Sequence, residues 1–182
     1  WPLAFTVRCL PSLADAAGTQ PALLLWNDQG SGGAEDEWRD ALWRLGWTPG
    51  VDVDVYTTRA PSAGVGNGLG GRATVAQVAG YTDLLYTAGN LGSYTLSNGD
   101  FNADPGNDLA LLNGWLGLGG RDVLLCGEDL AGSLYFAGVA ARAFVETTMG
   151  LQYVDGDVRD NIGGQVSPVV VKAPGNPVFL TA

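Results

Sequence analysis

The chain contains no histidine. Without an imidazole there is no Ser-His-Asp or Cys-His hydrolase centre and no His-ligated zinc or haem. Lysine is almost as scarce: Lys172 is the only one, so a Schiff-base, Walker-type or receiver-type lysine would have to be that residue. The two cysteines, Cys9 and Cys126, are too few for a disulfide scaffold and too far apart in sequence for a CxxC motif. Their number allows a bridge, and their spacing leaves it open. No apolar run approaches the roughly 18 residues of a spanning helix, so membrane insertion is not expected. No positively charged, apolar targeting segment opens the sequence. Positive charge is short overall, with 9 Lys+Arg against 19 Asp+Glu, a net charge of −10 and a pI near 4.1. Such a surface repels phosphate backbones and anionic lipid, which argues against nucleic-acid partners.

What is present is core-forming material. The 182 residues are 46% hydrophobic and 15% charged, a size and composition that suit one domain. The run Ala22-Leu23-Leu24-Leu25-Trp26, closed by Asn27-Asp28-Gln29-Gly30, predicts a buried strand ending in a loop. Glu35 to Trp47 predicts a helix with Trp38, Leu42 and Leu45 on one face, acids in its first turn and Pro49-Gly50 as its stop. Val51 to Thr58 alternates apolar and polar, which suits a strand nearer the sheet edge.

Arg72 to Gly80 predicts a short helix, and Thr82 to Ala88 a third strand stopped by Gly89-Asn90. Asp108 can cap a helix carrying Leu109, Leu112, Trp115 and Leu116, ended by Gly119-Gly120. Asp122 to Cys126 is an almost purely apolar fourth strand. Leu134 to Met149 predicts a helix with Phe136, Ala140, Phe144 and Val145 on one side. An acidic loop (Asp155, Asp157, Asp160) precedes late strands at Val169-Val170-Val171 and Val178-Phe179-Leu180. Residues 1–20 are expected to be an N-terminal extension in which Phe5-Thr6-Val7 supplies an added strand, and 21–182 an α/β domain. A start at Trp1 rather than Met is expected of a processed protein or an excised piece.

Strands alternating with helices over short connections predict a three-layer α/β/α sandwich with a mainly parallel, flavodoxin-like or amidotransferase-like sheet. Ligands in such sheets sit at the carboxyl ends of strands, here the loops after Trp26, Thr58, Ala88 and Cys126.

Three stretches carry a resemblance: Leu23-Leu24-Leu25-Trp26-Asn27-Asp28, Asp83-Leu84-Leu85-Tyr86-Thr87-Ala88-Gly89-Asn90, and Leu116 to Leu130 with its Gly119-Gly120-Arg121-Asp122 entry. Over roughly Pro21 to Phe179 the sequence resembles class I glutamine-amidotransferase-like domains, in the divergent form built into secreted and surface proteins of bacteria. The segment Gly175-Asn176-Pro177-Val178 is similar to their Gly-Asp-Pro segment. The resemblance implies that Cys126 stands where the catalytic Cys of those enzymes falls. It departs from them in having no histidine and in reading Cys126-Gly127-Glu128 rather than Cys-x-Gly. An ammonia-releasing reaction by the usual triad is thereby excluded, and a fold with a lost or replaced active centre is implied.

Other candidate chemistry is read from the residues themselves. Cys126 with Glu128, Asp129 and Ser133 is the enzymatic candidate; a thiolate there would gain from a helix N-terminus, while the two acids would raise the thiol pKa. The alternative is a buried strand-end cysteine followed by capping acids. Asp100, Asn102, Asp104 and Asp108 fall at positions 1, 3, 5 and 9 of a calcium-like loop, the one cofactor the sequence suggests. Against it, Pro105 replaces the sixth-position glycine and Leu111 the twelfth-position Glu.

A GxGxxG at Gly66, Gly68 and Gly71 follows the wrong strand for a dinucleotide fingerprint, and Arg72-Ala73 replaces the Lys-Ser/Thr of a P-loop; a flexible glycine loop is expected. Asn27 to Gly33 could hold a phosphate or flavin, but Glu35, Asp36 and Glu37 already occupy the positive helix end. The third strand ends without the aspartate of a receiver domain. Acid pairs such as Asp155 with Asp157 or Glu35 with Glu37 satisfy a glycosidase by residue type alone. Among six tryptophans, Trp38 and Trp115 suit the core, while Trp43 and Trp47 at i, i+4 suit partner or sugar contact.

The leading expectation is a non-catalytic structural or interaction domain of a larger secreted or cell-surface protein. Its expected partners are neighbouring domains or other copies of the same protein. One alternative is a hydrolase or redox enzyme using Cys126 and nearby carboxylates. Another is a calcium-dependent or glycan-binding module.

Overall fold

The computed structural model describes residues 20–28, 34–58, 68–97, 106–153, 161–162 and 165–166. Four five-residue strands, β1 (Leu23–Asn27), β2 (Val53–Thr57), β3 (Asp83–Thr87) and β4 (Asp122–Cys126), form one parallel sheet in the order β2-β1-β3-β4. The interspersed helices are α1 (Glu35–Arg44), α2 (Val75–Val78), α3 (Asp108–Leu116), α4 (Leu130–Phe136) and α5 (Val139–Ala143). The fold is α/β, as the alternation of elements predicts. A separate antiparallel pair joins β5 (Asn161–Ile162) to β6 (Gln165–Val166). Expected strands at Phe5–Val7, Val169–Val171 and Val178–Leu180 fall outside the described residues, as do the N-terminal extension, Cys9 and the acids Asp155, Asp157 and Asp160.

β1 is central and buried along its whole length, which is why its sequence is a continuous apolar run. β2 lies outermost on its side among the described strands and is less buried than β1, with Val53 buried on one face and Tyr56 on the other. In-register pairing sets Leu24, Trp26, Leu84 and Tyr86 on one face and Leu23, Leu25, Val53 and Leu85 on the other. The first face packs on α2, α3, α4 and α5 through Val78, Leu112, Trp115, Leu134 and Ala141, with Phe144 just past α5. Trp26 makes edge-on contacts with Tyr56 and Tyr86 at 6.3 and 5.1 Å. Among the described residues, the second face meets α1 alone. Every connection moving outward from β1 through β3 to β4 stacks its helix on the first face, and the β1–β2 connection uses the second, as right-handed crossovers require.

Several elements end earlier than their periodicity predicts. α1 stops at Arg44 because Gly46 turns left-handed at φ 86, and Leu45 is left exposed. Trp47 folds back against Leu42 with Trp38, so the expected Trp43–Trp47 stripe is split and Trp43 alone is well exposed. The helix expected from Arg72 is a single 3-10 turn (Leu69–Gly71) followed by α2, which starts at a capping box between Thr74 and Gln77. The helix expected over Leu134–Met149 is three pieces, because Gly138 at φ 134 separates α4 from α5 and a π-helical turn (Phe144–Thr148) follows. Phe144 and Val145 are buried as expected, but Phe136 and Ala140 face outward. α3 is capped by Asn107, whose side chain accepts the Ala110 N–H at 2.9 Å, and not by Asp108.

Candidate functional site

The strand order reverses at β1, with β2 on one side and β3 on the other. The crevice of an open α/β sheet lies at such a point, outside the carboxyl ends of the strands. Asp28 follows β1 there and is fully buried. Its two carboxylate oxygens accept the Thr58 hydroxyl at 2.6 Å and the Tyr86 hydroxyl at 2.7 Å, while its N–H donates to the Thr87 carbonyl at 2.8 Å. Those O–H···O lengths are typical of hydroxyls donating to a charged carboxylate.

Burial pushes the Tyr86 phenol well above its ordinary value, helped by the charge of Asp28, the hydrogen bond to it and the charge of Asp108. Tyr86 is therefore a fixed proton donor to Asp28. A hydrogen bond from Thr95 opposes the shift, and the Thr95 hydroxyl lies 3.3 Å from that of Ser133 on α4. A polar chain thus runs Tyr86–Asp28–Thr58, from β3 across the end of β1 to the residue after β2.

Asp108 is the second fully buried carboxylate. One oxygen accepts the Gly70 N–H at 2.7 Å and the other the Ser97 N–H at 3.0 Å. Ser97 locks the same corner, donating to the Gly106 carbonyl at 2.6 Å and accepting the Asp108 N–H at 3.2 Å. Of the glycine motif, Gly66 lies outside the described residues and Gly71 ends the 3-10 turn, while Gly68 and the intervening Gly70 press on the start of α3. A Cβ on Gly70 would stand 2.3 Å from the Asn107 carbonyl oxygen, and one on Gly68 2.3 Å from the Asp108 carboxylate. The described part of the segment expected to be a flexible glycine loop, Gly68 to Gly70, is a close contact that holds the Asp108 carboxylate.

Of the calcium-like loop, Asp100, Asn102 and Asp104 lie outside the described residues, and Asp108 is engaged as above. Among the described residues no group of three or more His, Cys, Asp or Glu is placed to hold a metal ion.

Glu35 closes the opposite side of the crevice. Arg39 reaches one of its oxygens through two nitrogens at 3.0 and 2.8 Å; Asn27 and Thr57 donate to the other at 2.9 and 3.4 Å. Burial pushes its carboxyl upward, but the bonds from Arg39 and Asn27, the Arg39 charge and the Thr57 bond together bring it below 4.5. The start of α1, where a phosphate or flavin would bind, thus carries a tethered carboxylate of its own.

Cys126 is a free, half-buried thiol at the last position of β4, in register with Thr87. Strand alternation sets it on the face that meets α1, whereas Ser133 sits on α4, packed on the opposite face. Burial pushes its thiol upward. The cause is desolvation, not the neighbouring acids that the sequence suggests. Cys126 has no left-handed backbone, in contrast to Ala34 and Tyr94, and so does not stand on a strained strand-to-helix elbow. Glu128 and Asp129 are exposed; Glu128 donates its N–H to the Gly89 carbonyl at 2.9 Å, and the Asp129 side chain makes no capping bond to α4.

Sequence pattern did not single out Thr58, Tyr86, Thr95 or Ser97. The available signal was a strand-end tyrosine in phase with Leu84, facing a core that must satisfy its hydroxyl. Comparison with protein-family models, with curated proteins and with solved structures finds no match to this chain.

Proposed function

We propose that the chain is a non-catalytic structural or interaction domain of a larger secreted or cell-surface protein, partnered by neighbouring domains or further copies. One observation carries this reading. Around the carboxyl ends of β1, β2 and β3, three described carboxylates that such a fold could turn toward a ligand are engaged by groups of the protein itself. Asp28 takes Thr58 and Tyr86, Asp108 takes two backbone amides, and Glu35 takes Arg39, Asn27 and Thr57. Buried networks satisfied in this way rigidify and specify a fold. The half-buried Cys126 thiol, pushed upward and without an imidazole in the chain, fits a packing role better than a nucleophilic one. An amidotransferase-like ancestry whose ammonia chemistry has gone is compatible with this arrangement.

Thiol labelling of a Cys9→Ser variant, native against unfolded, tests the reading. Native Cys126 is expected to react more slowly at neutral pH than in the unfolded chain. A native rate above the unfolded one would mark an activated thiolate and overturn it.

A further inference from the structure

We infer that α1 is an acid-released latch: when Glu35 takes up a proton, the helix leaves the sheet as a unit while the rest of the domain stays folded. Glu35 stands in the first turn of α1, where the helix meets the ends of β1 and β2. One of its oxygens accepts two nitrogens of Arg39 at 3.0 and 2.8 Å, and the other accepts Asn27 of β1 at 2.9 Å and Thr57 of β2 at 3.4 Å. Among the described residues no other side chain of α1 makes a hydrogen bond to the sheet. A single carboxylate therefore ties three elements together, and the tie has its full strength only while that carboxylate is charged.

Apolar docking of the helix is slight. Leu42 is its only buried side chain, Trp38 is partly buried beside it, and Trp43 is 68% exposed. The chain enters α1 through Ala34 at φ 108, a left-handed backbone that a residue with a Cβ adopts at a cost, and no side chain caps the first turn. Elements with few buried apolar contacts lie at the low end of local stability and open first. Opening here withdraws Leu42 and Trp38 from the cluster they share with Leu25 and Val53.

Linkage gives the direction. Burial pushes the Glu35 carboxyl up, but the bonds from Arg39 and Asn27, the Arg39 charge and the Thr57 bond together hold it below the ordinary 4.5. In the released helix the same carboxyl returns to its ordinary value, so protons favour release. The closed state keeps its full advantage above 4.5 and loses it as pH falls through the folded value. Other described charges do not stand in for Glu35. On α1, Asp36, Glu37 and Asp40 are exposed, and Asp40 pairs with Arg44 at 2.7 Å. The acid nearest from β1 is Asp28, which is turned to the opposite face and accepts Thr58 and Tyr86. From β2 it is Asp54, which accepts the Tyr81 hydroxyl on that same opposite face.

Amide exchange of the full chain from about pH 7 to about pH 3, corrected for intrinsic exchange rates, tests this. Amides from Arg39 to Leu45 are expected to open increasingly below pH 4.5, while those of β3 and α3 stay closed. Glu35→Gln should open the α1 amides about fivefold or more at neutral pH and remove most of the acid-driven rise. Arg39→Gln, which takes away the cation but keeps Glu35, should make the rise smaller, because the folded carboxyl then moves back toward 4.5. A rise of full size in either variant assigns it to Asp36, Glu37 and Asp40 and overturns the proposal. Acid opening of α1 in step with β3 and α3 also overturns it, since that is unfolding of the whole domain.

Discussion

The two faces of the sheet are packed to different depths. Under α2, α3, α4 and α5 lie Leu24, Trp26, Leu84 and Tyr86, joined by Leu112, Trp115 and Phe144 in one continuous core. Under α1 the core among the described residues is Leu23, Leu25, Leu42 and Val53, with Trp38 and Trp47 at its margin. Leu42 is the only fully buried side chain that α1 supplies, and polar bonds from Glu35 to Asn27 and Thr57 secure its first turn. The difference follows from connectivity. One described crossover runs across the thin face and the rest across the thick one, so apolar burial accumulates where the helices do.

This contrast can be broken most forcefully at Trp115, which is fully buried and donates its indole N–H to the Tyr81 carbonyl at 3.1 Å. Trp115→Ala is expected to cost about 4 kcal/mol in denaturant unfolding. Asp28→Ala should cost about 3 kcal/mol, because Thr58 and Tyr86 lose a charged acceptor together. Leu42→Ala, the corresponding truncation on the thin face, should cost about 2 kcal/mol. A loss equal to that of Trp115→Ala would mean the faces are equally important and would sink the comparison.

Two smaller effects sharpen it. Asn107→Ala removes the cap of α3 and should cost about 1 kcal/mol. Arg39→Ala acts on a partly exposed pair and should cost no more than about 0.5 kcal/mol. Glu35 adds a pH signature. Its folded pKa lies below the ordinary carboxyl value of 4.5, so its contribution is fully present above that value and is lost as pH falls through the folded one. The stability difference between wild type and Glu35→Gln should shrink over that acid range in urea titrations. A difference that stays flat or grows would assign α1 docking to packing alone.

Much of the fold can be read from local pattern. The continuous apolar run of β1 and the alternation of β2 announce a central and an outer strand, and both positions are found among the described strands. Helix lengths are less legible because single glycines in left-handed conformation, Gly46 and Gly138, override an apolar periodicity that continues past them. The crevice is hardly legible at all. Asp28 meets its partners 30 and 58 residues away, and Asp108 meets Gly70 across 38, so neither partnership leaves a short-range signature. Asn107 and Asp108 are both plausible caps by residue type. The Asp108 carboxylate is taken up by the amides of Gly70 and Ser97, and the Asn107 side chain makes the cap.

That glycine contact bears on how the sequence can change over time. Gly70 has its amide on the Asp108 carboxylate and no space for a methyl group beside Asn107. Any side chain there must push α3 away from the sheet, and any inserted residue must take the amide off its carboxylate. Gly119 and Gly120, which have open space around them, face only a conformational demand. Substitution and lengthening should therefore be accepted far more readily past the end of α3 than at the turn that clasps its beginning.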